Sequence, residues 1–210
     1  MPDDEIIAIT GHRYYPDRAA LYRGLDGLRA RQYYLGGARG VDTDALEYLS
    51  RTQPKSIRTV VVPNRVIDQP LYSQTIINKN ASNIIELKNY GPDRYMIRNR
   101  YMVDHSTKVN AFYDFRGSGG TFNTIEYSKR INKPFTVTPM VDYNYKKLTE
   151  MPVPEFESWV KKMKQFKVNL SAIKGIIVSK VIHIMQVSMS DFCTGIGYAG
   201  CNTLEELWLR

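Results

Sequence analysis

The sequence has few of the residues from which disulfide frameworks and metal sites are built. Its 210 residues include only two cysteines, Cys193 and Cys201, and three histidines, and no metal-binding spacing links them. We therefore expect reduced thiols in a cytoplasmic protein, with no metal ion and no other cofactor. The acidic start, Met-Pro-Asp-Asp-Glu, leads directly into a short apolar run, which predicts neither a signal peptide nor a transit peptide.

Long apolar runs are also scarce. Residues 171–189 approach the length of a membrane span, but Lys174 and Lys180 interrupt them, and a lysine is costly at the centre of a bilayer. The pattern favours a packed helix or a pair of strands at a subunit interface. We accordingly expect a homo-oligomer and no membrane partner.

Acidic residues are outnumbered by basic ones. The sequence contains 29 lysines and arginines against 21 aspartates and glutamates, a net charge of +8, which favours anionic partners such as nucleotides or nucleic acid. Eight lysines and three glutamates lie between residues 145 and 180, where residues 155–166 have the pattern of a basic helix. This segment is interpreted either as a solvated helix face or as a surface that contacts a polyanion.

Short apolar segments alternate with helical patterns along the first two thirds of the chain. Strands are predicted at residues 5–10, 33–35, 56–62, 83–87, 108–115 and 135–138. Helices are predicted around residues 16–28, 42–49, 92–105 and 121–131, whereas residues 64–82 are polar and fit neither pattern. This alternation predicts an α/β fold, a Rossmann-like, doubly wound, mostly parallel sheet with helices on both faces. The change of pattern after Pro139 predicts a Rossmann-like domain at 1–139 and a C-terminal extension at 140–210, used for oligomerisation or partner contact.

Three glycine-rich turns follow predicted strands. They are Gly11-His12-Arg13, Gly36-Gly37-Ala38-Arg39-Gly40 and Gly117-Ser118-Gly119-Gly120-Thr121. Ligands of open α/β sheets bind beyond the carboxyl ends of the strands, so these turns should line one ligand-binding edge. Backbone N–H groups at the third turn would seat a phosphate at the start of the following helix. Glycine turns also serve as plain tight turns, and this reading stays open.

Two familiar phosphate-binding motifs are missing. Gly11 is not followed by the Gly-x-x-Gly of the dinucleotide fingerprint, and no glycine turn carries the Gly-Lys-Ser/Thr of the nucleoside-triphosphate loop. A standard dinucleotide or triphosphate site is therefore not predicted.

The helix after Pro92 supplies a candidate anion clamp. Arg94, Arg98, Tyr101 and His105 share one helical face, while Met96, Ile97 and Val103 can face the core. The guanidinium group of Arg98 matches phosphate or carboxylate. The alternative is a solvent-exposed face with ion pairs.

Two carboxylates are candidate catalytic groups. Glu126 lies one to two turns into the helix after the third glycine turn, near enough to act on a bound sugar as a stabilising or water-activating group. Its alternative is a surface residue paired with Arg130 four positions on. Asp42 can cap the helix after the second turn and is the other candidate.

Three segments resemble the SLOG superfamily, the Rossmann-like group that includes DNA-processing protein A and the Lonely Guy phosphoribohydrolases. They are Ile9-Thr10-Gly11-His12-Arg13, the segment from Gly36 to Asp42, and Arg98 to Asp104 leading into Ala111-Phe112-Tyr113-Asp114 and Gly119-Gly120-Thr121. The resemblance spans residues 5–138 and is closest to small stand-alone SLOG proteins of bacteria and their phages or plasmids. Lonely Guy enzymes carry a glutamate three residues after the threonine, where this chain has Thr124.

The resemblance implies a nucleotide or nucleotide-sugar-like ligand, and hydrolysis or transfer at an N-glycosidic bond if the protein is an enzyme. Two alternatives stay open: a nucleic-acid-binding module that uses the basic surface, and a phage structural or assembly protein with a SLOG scaffold. The candidate ligand-binding residues are Gly11, His12, Arg13, Gly36, Gly37, Arg39, Arg98, Gly119, Gly120 and Thr121.

Overall fold

The computed structural model of the protein describes residues 5–15, 18–114 and 117–140. The predictions for residues 155–166 and 171–189 and for the two cysteines lie outside these residues. Among the described residues, no helix is long and apolar enough to cross a membrane.

Six strands and five α-helices alternate along the described chain. The strands are β1 (Ile6–Gly11), β2 (Gln32–Leu35), β3 (Ile57–Val62), β4 (Asn83–Glu86), β5 (Lys108–Tyr113) and β6 (Phe135–Pro139). The helices are α1 (Arg18–Asp26), α2 (Val41–Thr52), α3 (Leu71–Asn80), α4 (Arg94–Asp104) and α5 (Gly119–Arg130). All six predicted strands are present, because each is a short β-branched or aromatic run bounded by turn residues.

The strands form one parallel sheet in the order β4-β3-β2-β1-β5-β6. The chain first proceeds outward from β1 to β4 and then returns to the other side of β1, so the strand order reverses between β1 and β5. This is the topological switch point at which open α/β sheets form their ligand crevices. The predicted Rossmann-like, doubly wound fold is therefore confirmed for the described residues.

Apolar side chains cover both faces of the sheet. Ile7 and Ile9 of β1 belong to one buried cluster, together with residues of α1, α2 and α3. The intervening residue, Ala8, belongs to a second cluster with Met102 of α4 and Val109 of β5. Successive residues of a strand point to opposite faces, so each central strand supplies both clusters.

Three local predictions are corrected by the structure. Helix α3 lies within residues 64–82, where no element was predicted. Its helical pattern is weak because only Ile77 of its three buried residues is apolar. Helix α2 begins at Val41 with Gly40 at its N-cap, so Asp42 is inside the first turn and is not the cap. Met96, expected in the core, is 38% exposed in the first turn of α4, and Met102 is buried instead.

Candidate functional site

The carboxyl ends of β1 and β5 bring two loops together at the switch point. Gly11 pairs with Phe112, so His12 and Asp114 follow adjacent strands. The Nε2 atom of His12 lies 2.9 Å from Oδ1 of Asp114, and the His12 ring stacks on Tyr113 with centroids 5.5 Å apart. The histidine predicted to face a ligand thus connects the two strands across the switch point.

Glycine is required where the first two turns meet. A Cβ atom on Gly11 would lie 2.5 Å from Cγ1 of Val41, and one on Gly40 would lie 2.4 Å from the carbonyl oxygen of Arg13. Gly40 has a φ of +95°, and the Val41 N–H donates to the His12 carbonyl at 3.1 Å. These two glycines allow the start of α2 to pack directly against the turn after β1.

Three predicted site residues form one buried cluster. Nη1 of Arg98 lies 3.4 Å from Oδ2 of Asp42, and each residue is only 7% exposed. The same carboxylate oxygen accepts the Ala38 N–H at 3.2 Å. A Cβ atom on Gly36 would lie 1.3 Å from Nη1 of Arg98, so the guanidinium group occupies the space that only glycine leaves open. The anion that contacts Arg98 is therefore the Asp42 carboxylate, which ties α4 to the start of α2.

Desolvation dominates the electrostatics of this pair. Burial raises the pKa of Asp42 above its ordinary value, and the charge of Arg98 offsets that rise only in part. Burial likewise lowers the pKa of Arg98, against the opposing influence of Asp42. The attraction between the two groups therefore does not fully compensate for the loss of their hydration.

The raised pKa of Asp42 predicts a pH dependence of stability. The unfolded chain loses the Asp42 proton near the ordinary value of 3.8, below the pH at which the folded protein loses it. The stability of the wild type relative to Asp42→Asn should therefore fall as pH rises from that value through the raised pKa, and then level off. Urea unfolding of both proteins between pH 3 and pH 8 measures this difference. A relative stability that rises with pH would show that Arg98 outweighs burial.

The start of α5 is uncapped; Gly119 and Gly120 are exposed there, whereas Thr121 is buried. Its N-cap residue, Ser118, makes no side-chain hydrogen bond to the helix. Among the described residues, no acceptor contacts the backbone N–H groups of Gly119, Gly120 or Thr121. Gly119 has a φ of +91°, and no atom lies within 4 Å of a Cβ position built on it. Unlike Gly11 and Gly40, Gly119 is not needed to avoid contact with a neighbouring residue. The absence of its side chain leaves open space beside the N–H groups at the start of α5.

A cleft of about 890 Å³ lies between α4 and α5, and we call it the α4–α5 cleft. It extends from the N-terminal ends of both helices to Arg130, the last residue of α5. Predicted residues Gly119, Gly120 and Glu126 line it. Glu126 pairs with Lys129 at 2.8 Å and not with Arg130. The guanidinium carbon of Arg130 instead lies 5.1 Å from the centre of the Tyr127 ring.

Other predicted residues line a second cleft of about 570 Å³, which we call the arginine cleft. Its lining residues are Arg13, Tyr14, Tyr15, Arg18, Arg39, Gly40, Asp44, Pro70, Tyr72 and Ser73. The guanidinium carbon of Arg13 lies 5.5 Å from the centre of the Tyr95 ring, and Tyr95 lines the α4–α5 cleft. The two clefts are therefore neighbours at the carboxyl edge of the sheet.

The candidate site residues predicted from the sequence therefore lie in separate places and not in one site. Several residues at the carboxyl edge of the sheet were not predicted. Asp114, which contacts His12, follows β5 at the switch point and was not predicted as a site residue. Tyr95 and Asn99, which line the α4–α5 cleft, lie one turn apart at the start of α4. Their positions could have been inferred, because helix N-termini in such folds face the carboxyl edge of the sheet. Ser73 carried no usable signal, because α3 itself was not predicted.

The fold and the clefts define a class: a Rossmann-like α/β protein with an uncapped helix N-terminus and two adjoining clefts at the carboxyl edge of its sheet. No protein-family model matches the chain, and no curated protein matches it. The SLOG resemblance accordingly stays a prediction.

Proposed function

We propose that the protein binds a nucleotide or nucleotide-sugar-like ligand at the carboxyl edge of its sheet, in the manner that its SLOG resemblance implies. The observation that carries this proposal is the uncapped start of α5, where Gly119 and Gly120 are exposed. Three consecutive N–H groups, those of Gly119, Gly120 and Thr121, lack an acceptor among the described residues. These three N–H groups, which we call the phosphate seat, lie at the positive end of the helix dipole and favour a phosphate.

The α4–α5 cleft supplies contacts for the rest of such a ligand. The ring of Tyr95 is 39% exposed, and the guanidinium carbons of Arg94 and Arg13 lie 4.8 Å and 5.5 Å from its centre. A base would stack on this ring by displacing one of the two guanidinium groups. Asn99 donates from Nδ2 to the Gly120 carbonyl at 3.4 Å, which fixes α4 relative to the phosphate seat. Arg100 and Arg130 line the cleft and have no carboxylate partner among the described residues, so they favour an anionic ligand.

Ligand binding has firmer support than catalysis. Thr124 stands where Lonely Guy enzymes have glutamate, and its hydroxyl donates to the Gly120 carbonyl at 2.8 Å. This residue braces the helix start and has no acid–base function there. The carboxylate available for N-glycosidic hydrolysis or transfer is Glu126, which lines the same cleft.

A second candidate function is the binding of single-stranded nucleic acid. Five arginines lie with their guanidinium carbons 4.8–5.6 Å from tyrosine ring centres, at or beside the two clefts. None of the five forms an ion pair with a described residue. They are Arg13, Arg39, Arg94, Arg100 and Arg130. Alternating cations and aromatic rings suit a chain of phosphates and stacked bases.

Blocking the phosphate seat tests the first proposal. Gly120 is exposed, and a Cβ atom there would lie 3.5 Å from Nδ2 of Asn99, so the side chain of Gly120→Leu would extend into the cleft without a backbone clash. AMP or a nucleotide sugar at about 100 times its dissociation constant should raise the wild-type melting temperature by about 5 °C or more. We expect Gly120→Leu to lose this rise.

The matched control is Gly120→Ala, whose methyl group fits at ordinary contact distance and should retain the rise. An equal rise in Gly120→Leu would contradict the phosphate seat. Stabilisation by an oligothymidylate but not by AMP would favour the second candidate. Release of free adenine from AMP by the wild type but not by Glu126→Gln would extend the proposal to hydrolysis.

A further inference from the structure

We propose that the arginine cleft is a second anion site, which binds a phosphate group through Arg13, Arg39 and the hydroxyl of Ser73. The site is independent of the phosphate seat on α5, and its existence does not rest on the proposed function. Three separate elements supply these residues: the loop after β1, the loop after β2 and the first turn of α3. Such convergence of donors from distant parts of the chain is typical of a binding site.

Two of the three arginines in the cleft lack an anionic partner. Arg13 and Arg39 form no ion pair with any described residue, and both are exposed. Their guanidinium groups instead contact rings, Arg39 over Tyr14 at 5.6 Å and Arg13 over Tyr95 at 5.5 Å. Stacking on a ring orients a guanidinium group but leaves its N–H donors free for phosphate oxygens.

The carboxylate in this cleft, that of Asp44, already has a cationic partner and a hydrogen-bond donor. Asp44 is buried, accepts a hydrogen bond from the Tyr15 hydroxyl, and lies 3.3 Å from Nε of Arg18. Burial and the nearby Asp44 raise the pKa of Tyr15, so this hydroxyl stays protonated and continues to donate. Asp44 therefore repels an incoming anion only weakly, and the charges of Arg13 and Arg39 remain uncompensated.

Ser73 provides an independent indication of a ligand. The residue is fully buried, lines the cleft, and has a side-chain oxygen without a hydrogen-bond partner among the described residues. The two backbone carbonyls that a serine at this position would normally contact, those of Gln69 and Pro70, already accept hydrogen bonds from Gln74. A buried hydroxyl without a partner is costly and rare in native proteins. Rotation of the Ser73 side chain toward the cleft that it lines would let a phosphate oxygen accept its hydrogen bond.

The first turn of α3 adds backbone donors at the same place. Its N-cap residue, Pro70, makes no side-chain cap, and the N–H groups of Tyr72 and Ser73 have no acceptor among the described residues. A phosphate beside Ser73 would lie at the positive end of this ten-residue helix. The cleft therefore combines two guanidinium groups, a hydroxyl and helix N–H groups around one anion.

The experiment measures binding of inorganic phosphate by calorimetry to the full chain carrying Gly120→Leu, in which the phosphate seat at the start of α5 is blocked. Adding Arg39→Gln should weaken phosphate binding about tenfold, and adding Ser73→Ala should weaken it about fivefold. The matched control is Arg31→Gln, which removes the same charge from an exposed arginine before β2, at the opposite edge of the sheet. This control should leave affinity unchanged.

Unfolding measurements keep the test interpretable. Ser73→Ala breaks no hydrogen bond and removes an unpartnered hydroxyl, so its stability should equal or exceed that of the parent. Absence of phosphate binding in Gly120→Leu, or equal effects of Arg39→Gln and Arg31→Gln, would overturn the second site. Binding of an oligothymidylate without binding of free phosphate would also overturn it. If the phosphate seat of the wild type binds no nucleotide but the arginine cleft still binds phosphate, only the proposed function is contradicted.

Discussion

Replacing Arg98 by methionine is expected to destabilise the protein by about 3–5 kcal/mol, because it leaves the buried Asp42 carboxylate without its partner. The methionine side chain is similar in length and apolar, so it fills much of the space beside Gly36. The loss should therefore come from the unpaired charge and not from a cavity. Urea denaturation at pH 7 measures the change in the free energy of unfolding.

A second substitution separates charge from packing. Asp42→Asn keeps a side-chain oxygen for the Ala38 N–H while removing the charge, so combining it with Arg98→Met should recover most of the lost stability. Asp42→Asn alone should be destabilising, since it leaves Arg98 buried with its charge uncompensated. Equal instability of the double and the single Arg98→Met variants would refute the electrostatic explanation.

Replacing Gly40 by alanine is expected to destabilise the protein by more than about 3 kcal/mol. Its φ of +95° is unfavourable for a residue with a side chain, and the added Cβ would lie 2.4 Å and 2.5 Å from the carbonyl oxygens of Arg13 and His12. These are backbone atoms, so relief requires the turn after β1 to move away from α2. Thermal and urea unfolding measure the loss.

Gly120→Ala is the matched comparison for Gly40→Ala. Gly120 lies in the first turn of a helix, is exposed, and has only the Asn99 amide near its Cβ position, at 3.5 Å. Alanine is a better helix former, so this variant should be unchanged or more stable by about 0.5–1 kcal/mol. Similar losses in both variants would show that the two glycines do not differ in role.

The sequence alone predicted the sheet because its strands carry strong local signals. In β3 (Ile57–Val62) every residue except Arg58 is β-branched, and Pro63 follows the strand, so its type and its end are clear from the sequence. Helix α3 lacks such a signal, since its buried face contains Ser73 and Asn80 beside a single isoleucine. Its place was fixed by packing against the rest of the fold, which local patterns do not contain.

The carboxyl edge was also predictable, but the role of each glycine was not. The neighbour that forbids a side chain at Gly36 is Arg98, 62 positions later in the chain. Helical spacing placed Arg98 on a polar face, and nothing local indicated that its partner would be a buried carboxylate. Gly36 and Gly119 look alike in the sequence, yet one accommodates a guanidinium group and the other leaves space beside unpaired N–H groups.

The strand order also determines when the sheet is completed during synthesis. Ile7 of the central strand β1 pairs with Lys108 of β5, so β1 leaves the ribosome about 100 residues before this partner. At typical translation rates of about 5–20 residues per second, one edge of β1 waits about 5–20 s for β5. During that time the edge of β1 that later pairs with β5 is unpaired, and an unpaired apolar strand edge is prone to aggregate. The strand order thus creates an aggregation risk during synthesis that the stability of the finished sheet does not remove.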